Sequence, residues 1–208
     1  LNALETPRRS WVYNPGTRRV RRAPDIAYDY KPSASQGITT ADQSGGFNGA
    51  KDRYDWKSLG VQKKLMPYNS YKFHETPIEE VLQPYHVKQD LLRYELVNVN
   101  VVQADLKSNK RHIIPHRVMY FDLDSHNMLS EETYDGEMVL QTYREFPLIN
   151  FYDQPMCLSI HEATYDLTTK RYELSSVRSI DIPKIQWRLE VPHEERMFTP
   201  EGLKRFAR

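Results

Sequence analysis

Leu92-Arg93-Tyr94-Glu95-Leu96-Val97-Asn98-Val99-Asn100-Val101-Val102 is the stretch on which the fold turns. Leu92, Tyr94 and Leu96 alternate with Arg93, Glu95 and Val97, and Val99, Val101 and Val102 follow. Period-two alternation rich in β-branched residues predicts a single strand of about 15 residues, long against the usual five or six. Downstream, Met119, Phe121 and Leu123 share a face, Asp124-Ser125-His126-Asn127 reads as a turn, and Met128 to Tyr134 returns. Asp135-Gly136 reads as a hairpin turn before Glu137 to Arg144. Leu158 to Leu167, the turn Thr168-Thr169-Lys170, and Tyr172 with Leu174 make another hairpin. Ile185, Trp187, Leu189 and Val191 alternate as a final edge strand. Thr199-Pro200-Glu201 opens a short helix ending near Arg208, with Thr as N-cap and Pro at the first helical position. Strands linked by short turns, without βαβ alternation, predict a mostly-β protein. Its strands are long enough to curl into a curved antiparallel sheet or half-open barrel with a few short helices.

Upstream, Ser10-Trp11-Val12-Tyr13, Asn14-Pro15-Gly16-Thr17 and Arg18-Arg19-Val20-Arg21-Arg22 read as a hairpin. Pairing about that turn sets Tyr13 opposite Arg18 and Trp11 opposite Val20, with Trp11, Tyr13 and Val20 on one face. An aromatic face beside a basic rim suits an apolar guest or a membrane surface. Arg18, Arg19, Arg21 and Arg22 are the candidates for contact with lipid headgroups or a partner. Residues 24–77 are broken repeatedly by Pro and Gly but studded with aromatics, which predicts a lid-like region of loops and short helical turns over the sheet. Phe47, Tyr54 and Trp56 from this region join Trp11, Tyr13 and Val20 as candidates for the wall of a ligand cavity.

The 208 residues suit one domain with a real core, and 39% hydrophobic against 27% charged residues predicts a globular chain. A net charge of +1 gives no global drive toward nucleic acid, although the arginines beside Trp11 and Tyr13 leave a minor single-strand-stacking alternative. With Cys157 the single cysteine, no intrachain disulfide or Cys-based zinc site forms. No apolar run approaches the roughly 20 residues of a membrane span. The chain begins at Leu1 rather than Met, so it reads as a processed or trimmed piece, and a missing leader says nothing for the cytoplasm. His112 and His116 have the spacing of a zinc helix, but in a β-like run they lie roughly 13 Å apart, as strand-surface histidines. Asp122 and Asp124 lead into a turn, where Asp is favoured for local hydrogen bonding. Cys157 with His161 has no evident orienting partner, and a small buried residue is the plainer reading. Ser159 lacks a nucleophile elbow, and no phosphate-binding or dinucleotide glycine motif is present. No catalytic residue, metal or cofactor is expected.

Several motifs agree in order with a known family. Phe47-Asn48-Gly49, Asp52-Arg53-Tyr54-Asp55-Trp56, Pro67-Tyr68-Asn69, Leu91-Leu92-Arg93-Tyr94-Glu95-Leu96, Lys110-Arg111-His112-Ile113, Tyr120-Phe121-Asp122-Leu123-Asp124-Ser125, Tyr134-Asp135-Gly136, Asn150-Phe151-Tyr152-Asp153 and Tyr165-Asp166-Leu167 span nearly the whole chain. Together they resemble a Gram-negative envelope family catalogued as a domain of unknown function, with members labelled outer membrane lipoprotein-sorting-like. Trp11-Val12-Tyr13-Asn14-Pro15 is similar to the opening hairpin of the LolA/LolB-like lipoprotein carriers. The resemblance implies a half-open antiparallel barrel whose apolar cavity holds acyl chains. It implies non-catalytic binding or transport of a lipid, lipoprotein acyl chain or other hydrophobic molecule in the periplasm. The alternative is a structural or interaction protein that docks onto an envelope transporter, and a lipid hydrolase is a minor third reading. The family is longer on the N-terminal side, so residues 1–208 read as a single domain forming the C-terminal part of a longer parent chain. An incomplete sheet then leaves an open edge for homo-oligomer formation. Relatives often carry an aromatic where His126 stands, so that turn is expected to pack differently here.

Overall fold

β4 (Tyr94–Leu106) is the long strand expected from its alternation, and it lies inside a seven-stranded antiparallel sheet. A computed structural model describes residues 11–22, 28–32, 35–153, 155–175 and 191–207. The chain divides into two compact units, one from 1–27 with 185–208, the other 28–184. In the larger unit, β3 (Tyr54–Pro67), β4, β5 (His116–Asp122), β6 (Met128–Tyr134), β7 (Leu140–Glu145), β10 (Glu162–Asp166) and β11 (Arg171–Ser175) follow one another across the sheet. Among the described residues β3 and β11 are its two ends and do not pair, so there the sheet is open rather than a closed barrel. Register shifts at Ser58/Val61, Tyr120/Phe121 and Thr133/Tyr134 interrupt the ladders, as bulges do where a strand bends.

The register sorts the side chains into two faces. Met66, Val99, Val101 and Tyr120 lie on the first and pack with Leu129 and Leu148. That face is covered by α1 (Tyr71–Glu75), α2 (Ile78–Val81) and the small hairpin of β8 (Leu148–Phe151) and β9 (Met156–Ser159). Phe73 and Val81, with Val87 and Leu91, pack over Ala163. The second face carries Tyr54, Ala104, Arg117, Met119, Glu131 and Arg144, and the segment 40–53 lies over it.

Four expectations change in the larger unit. Within 24–77, the described residues are irregular only up to Arg53: from Tyr54 they form the 14-residue β3. β3 hides from pattern reading because it is an end strand, exposed along most of its length, so nothing selects alternation there. Gly60, at φ 77°, supplies the left-handed residue of its bulge. Asp135-Gly136 is not a two-residue turn. The Asp135 carboxylate accepts from the N–H groups of Glu137 and Val139, both at 2.9 Å, and Met138 takes the left-handed position at φ 62°. Leu158 to Leu167 is two strands, β9 and β10, each with its own partner. His112 and His116 are buried rather than surface histidines. The expected strand from Ile185 to Val191 lies outside the described residues except for Val191, which is not in a strand.

In the smaller unit, β1 (Trp11–Asn14) pairs with β2 (Arg19–Arg22) in a shifted register: Trp11 faces Arg22 and Tyr13 faces Val20. Asn14 Oδ1 accepts from the Thr17 N–H at 3.0 Å and Arg18 turns left-handed at φ 52°, so Arg18 joins the loop instead of pairing with Tyr13. The shift preserves parity, and Trp11, Tyr13 and Val20 still share the half-buried face. α3 (Pro200–Phe206) packs against both strands and begins as expected, with the Thr199 hydroxyl accepting from the Gly202 N–H at 3.1 Å.

Candidate functional site

Two of the six cavity candidates meet at one cleft. Phe47 and Trp56 contact edge to face at 5.1 Å between ring centroids, and Trp56 is steadied by its Nε1–H donating to the Lys51 carbonyl at 2.7 Å. With Val102, Met119, Phe121 and Met128 they wall a cleft of about 550 Å³, within the usual range for small-ligand sites. Lys51, His126 and Asn127 are its polar lining. The sheet register explains the apolar floor: Val102 sits opposite Met119, and Phe121 opposite Met128. Their shared side of the sheet was readable from the alternation of Met119 and Phe121. That Val102 and Met128 join them is a cross-strand fact. Gly46, at φ 94°, brings the loop backbone against Met128. His126, at φ 58°, closes the Asp122–Asn127 turn, in which Asp122 accepts from the Ser125 N–H at 2.8 Å as expected for a turn Asp.

Tyr54 lies beneath the cleft rather than in its wall. It is buried, its hydroxyl donates to the Ile114 carbonyl at 2.8 Å, and burial pushes its pKa up to about 12. Trp11, Tyr13 and Val20 belong to the smaller unit, where they share one face of the hairpin.

Under Phe47 runs a buried ionic network that no linear motif announces. The Arg117 guanidinium stacks beneath the Phe47 ring at 5.3 Å and donates to Asp42 Oδ2 at 2.6 Å and to Glu131 Oε1 at 3.0 Å. Arg144 donates to Glu131 Oε2 at 2.7 Å, to the Gln43 carbonyl at 2.5 Å and to the Gly46 carbonyl at 3.2 Å. Gln43 Nε2 adds a bond to Glu131 at 3.1 Å, and Thr40 caps Asp42 at 2.5 Å. His112 Nε2 lies 3.2 Å from Asp42, too oblique for an aligned hydrogen bond but close enough to bring its N–H dipole to the carboxylate. Burial works against the charge on Asp42, yet His112, Arg117 and Thr40 outweigh it and hold its pKa below the ordinary value. Glu131 follows the same balance, its burial overcome by Arg117 and Arg144. The network ties loop 40–46 to β5, β6 and β7, so the part of the lid region that walls the cleft is fastened to the sheet.

The remaining polar candidates are engaged in structure. His116 Nδ1 lies 2.5 Å from Asp105 Oδ1, and no group of three or more His, Cys, Asp or Glu is placed to hold a metal among the described residues. His161 stacks on His74 at 4.7 Å, while burial raises the pKa of the Cys157 thiol, opposite to an activated nucleophile. No helix among the described residues is long and apolar enough to cross a membrane.

An open antiparallel sheet with an apolar cleft between one face and an anchored loop defines the class, a small protein built on an open β-sheet. The chain belongs to the family described as protein of unknown function DUF1329, whose model matches residues 1–204. It is 37% identical over 206 residues to the uncharacterized protein PA3922 of Pseudomonas aeruginosa, covering 98% of this chain and 45% of that relative. The chain thus spans under half the length of the curated relative it matches. Two crystal structures share the fold. One is described as a candidate outer membrane lipoprotein-sorting protein domain from Vibrio parahaemolyticus (TM-score 0.57, 15% identity, 94% of this chain and 66% of that one). The other is a DUF1329 family protein from Desulfovibrio piger (TM-score 0.56, 13% identity, 98% of this chain and 68% of that one).

Proposed function

We propose that this protein binds or carries a lipid, a lipoprotein acyl chain or another hydrophobic molecule in the periplasm of a Gram-negative bacterium, by burial and without chemistry. The observation that carries the reading is the apolar cleft of Phe47, Trp56, Val102, Met119, Phe121 and Met128. Each CH₂ withdrawn from water there contributes about 0.8 kcal/mol, so one acyl chain is held while remaining releasable. The lipoprotein-sorting description of the Vibrio structure supports the same class of ligand. Native mass spectrometry of protein purified without detergent, before and after incubation with envelope lipids, tests it. A stoichiometric lipid adduct that disappears in a folded Trp56→Asp variant supports the carrier; a mass that stays free of lipid defeats it.

A second reading has its own observation. β3 pairs only with β4 among the described residues, and Val61, Leu65 and Leu96 on one side of this edge pair are each at least 60% exposed. Such an edge suits strand addition by an envelope transporter or by another copy of the chain. A Leu65→Lys variant that loses a cross-linked partner or a dimer, yet keeps its lipid adduct, would assign the edge to docking and the cleft to cargo.

A further inference from the structure

Charge in this protein is segregated between its two units. The smaller unit holds 11 Lys and Arg against 6 Asp and Glu, a net of +5, while 28–184 holds 18 against 22, a net of −4. A whole-chain charge of +1 conceals this division. The hairpin places the excess on the surface. Val12, Arg19 and Arg21 share the exposed face, and Arg18 stands at the tip of the loop. The opposite face, with Trp11, Tyr13 and Val20, is half-buried, and α3 packs on both strands. Among the described residues the same unit exposes four large apolar side chains, Val12 at 59%, Val191 at 40%, Phe198 at 65% and Phe206 at 64%.

We propose that the exposed face of the β1–β2 hairpin docks onto anionic lipid headgroups at a membrane surface. Arginines flanking the exposed Val12 match the headgroup boundary, where phosphates meet the guanidinium groups. Single-stranded nucleic acid fits less well, because the hairpin aromatics that bases would stack on lie on the half-covered face. Arg22 shares Trp11's side of the hairpin and is not part of the docking face. The net-negative larger unit is repelled by the same membrane, which concentrates attraction on the hairpin. This inference is independent of the cleft, whose lining residues all lie in the larger unit.

The test is co-sedimentation of the chain with vesicles of phosphatidylglycerol and phosphatidylethanolamine, and separately of phosphatidylcholine alone. Binding to the anionic vesicles is expected at about 0.1 M salt and its loss at about 1 M. Arg18→Ser/Arg19→Ser/Arg21→Ser is expected to weaken it roughly a hundredfold, and the matching triple Lys variant to retain it. The Lys variant separates lost charge from lost folding. Equal binding to phosphatidylcholine, no binding at low salt, or undiminished binding by a folded Ser variant would overturn the proposal. So would displacement of the protein from anionic vesicles by a single-stranded oligonucleotide that it binds more tightly through the same arginines.

Discussion

Arg117 of β5 reaches Asp42, 75 residues earlier in the chain, through a 2.6 Å charge-assisted hydrogen bond sealed from solvent. It is the central tie between the cleft loop and the sheet, since the same guanidinium also holds Glu131 and supports Phe47. Removing one member of a buried pair leaves the other charge uncompensated. Asp42→Asn is expected to cost about 3–5 kcal/mol in urea unfolding and to loosen loop 40–46 in hydrogen exchange. An effect under about 1 kcal/mol would mean that the network is not what anchors the loop.

Acid is expected to act in two windows. His74 is buried against the Pro147 carbonyl, 2.8 Å from Nε2, and burial lowers its pKa to about 4 from 6.5. Between those values the unfolded chain takes up the proton more readily, so stability falls as pH drops from 6.5 toward 4. Asp42 and Glu131, whose folded pKa values lie below 3.8 and 4.5, stabilise above those values and lose their contribution as pH falls through the folded ones. Unfolding midpoints of the protein and of His74→Gln across this range check it: the variant flattens the upper window only.

Glu145 runs the other way. It is buried with Tyr94 donating to it at 2.7 Å, and burial raises its pKa above 4.5. The cost of its charge therefore appears as pH rises above 4.5 through the folded pKa. Glu145→Gln keeps an acceptor for Tyr94 and removes that cost, so its stability relative to the parent is expected to increase with pH, measured by urea titration.

Gly49 tests the shape of the cleft. A methyl group there would come within 2.8 Å of the Phe47 ring and 3.2 Å of Asp42 Cβ. Gly49→Ala is expected to displace Phe47 and weaken lipid adduct formation about tenfold, at a stability cost of about 1–3 kcal/mol. Adducts formed as well as by the parent would show that Phe47 does not grip the cargo.

Thr199→Ala removes the side-chain cap of α3 and is expected to cost about 1 kcal/mol of local stability. Faster amide exchange within Pro200–Phe206, with exchange in the seven-stranded sheet unchanged, is the signature.

Much of the fold is legible where residue type alternates along a strand or marks a helix end. β4, β5 and β6 follow their alternation, and the Thr199 cap follows its residue type. β3 was not legible, because an end strand exposed on both sides has no reason to alternate. The hairpin register moved by one Asx turn and one left-handed arginine, local choices that residue pairing rules do not rank.

By itself the sequence determined the class of fold, the meander, the shared side of Met119 and Phe121, and the membership of Trp11, Tyr13 and Val20 in one face. Each follows from periodicity or turn chemistry within a few residues of the chain. Only the tertiary structure decided that Phe47 and Trp56 meet across a cleft, that Tyr54 lies beneath it, and that Arg117 joins Asp42 to Glu131. Those relationships depend on which strands and loops become neighbours. Arg117, Arg144 and Glu131 are charged residues in strands, and no linear motif marks them as buried. Burial becomes tolerable only once a distant loop brings opposite charge and carbonyl acceptors to meet them.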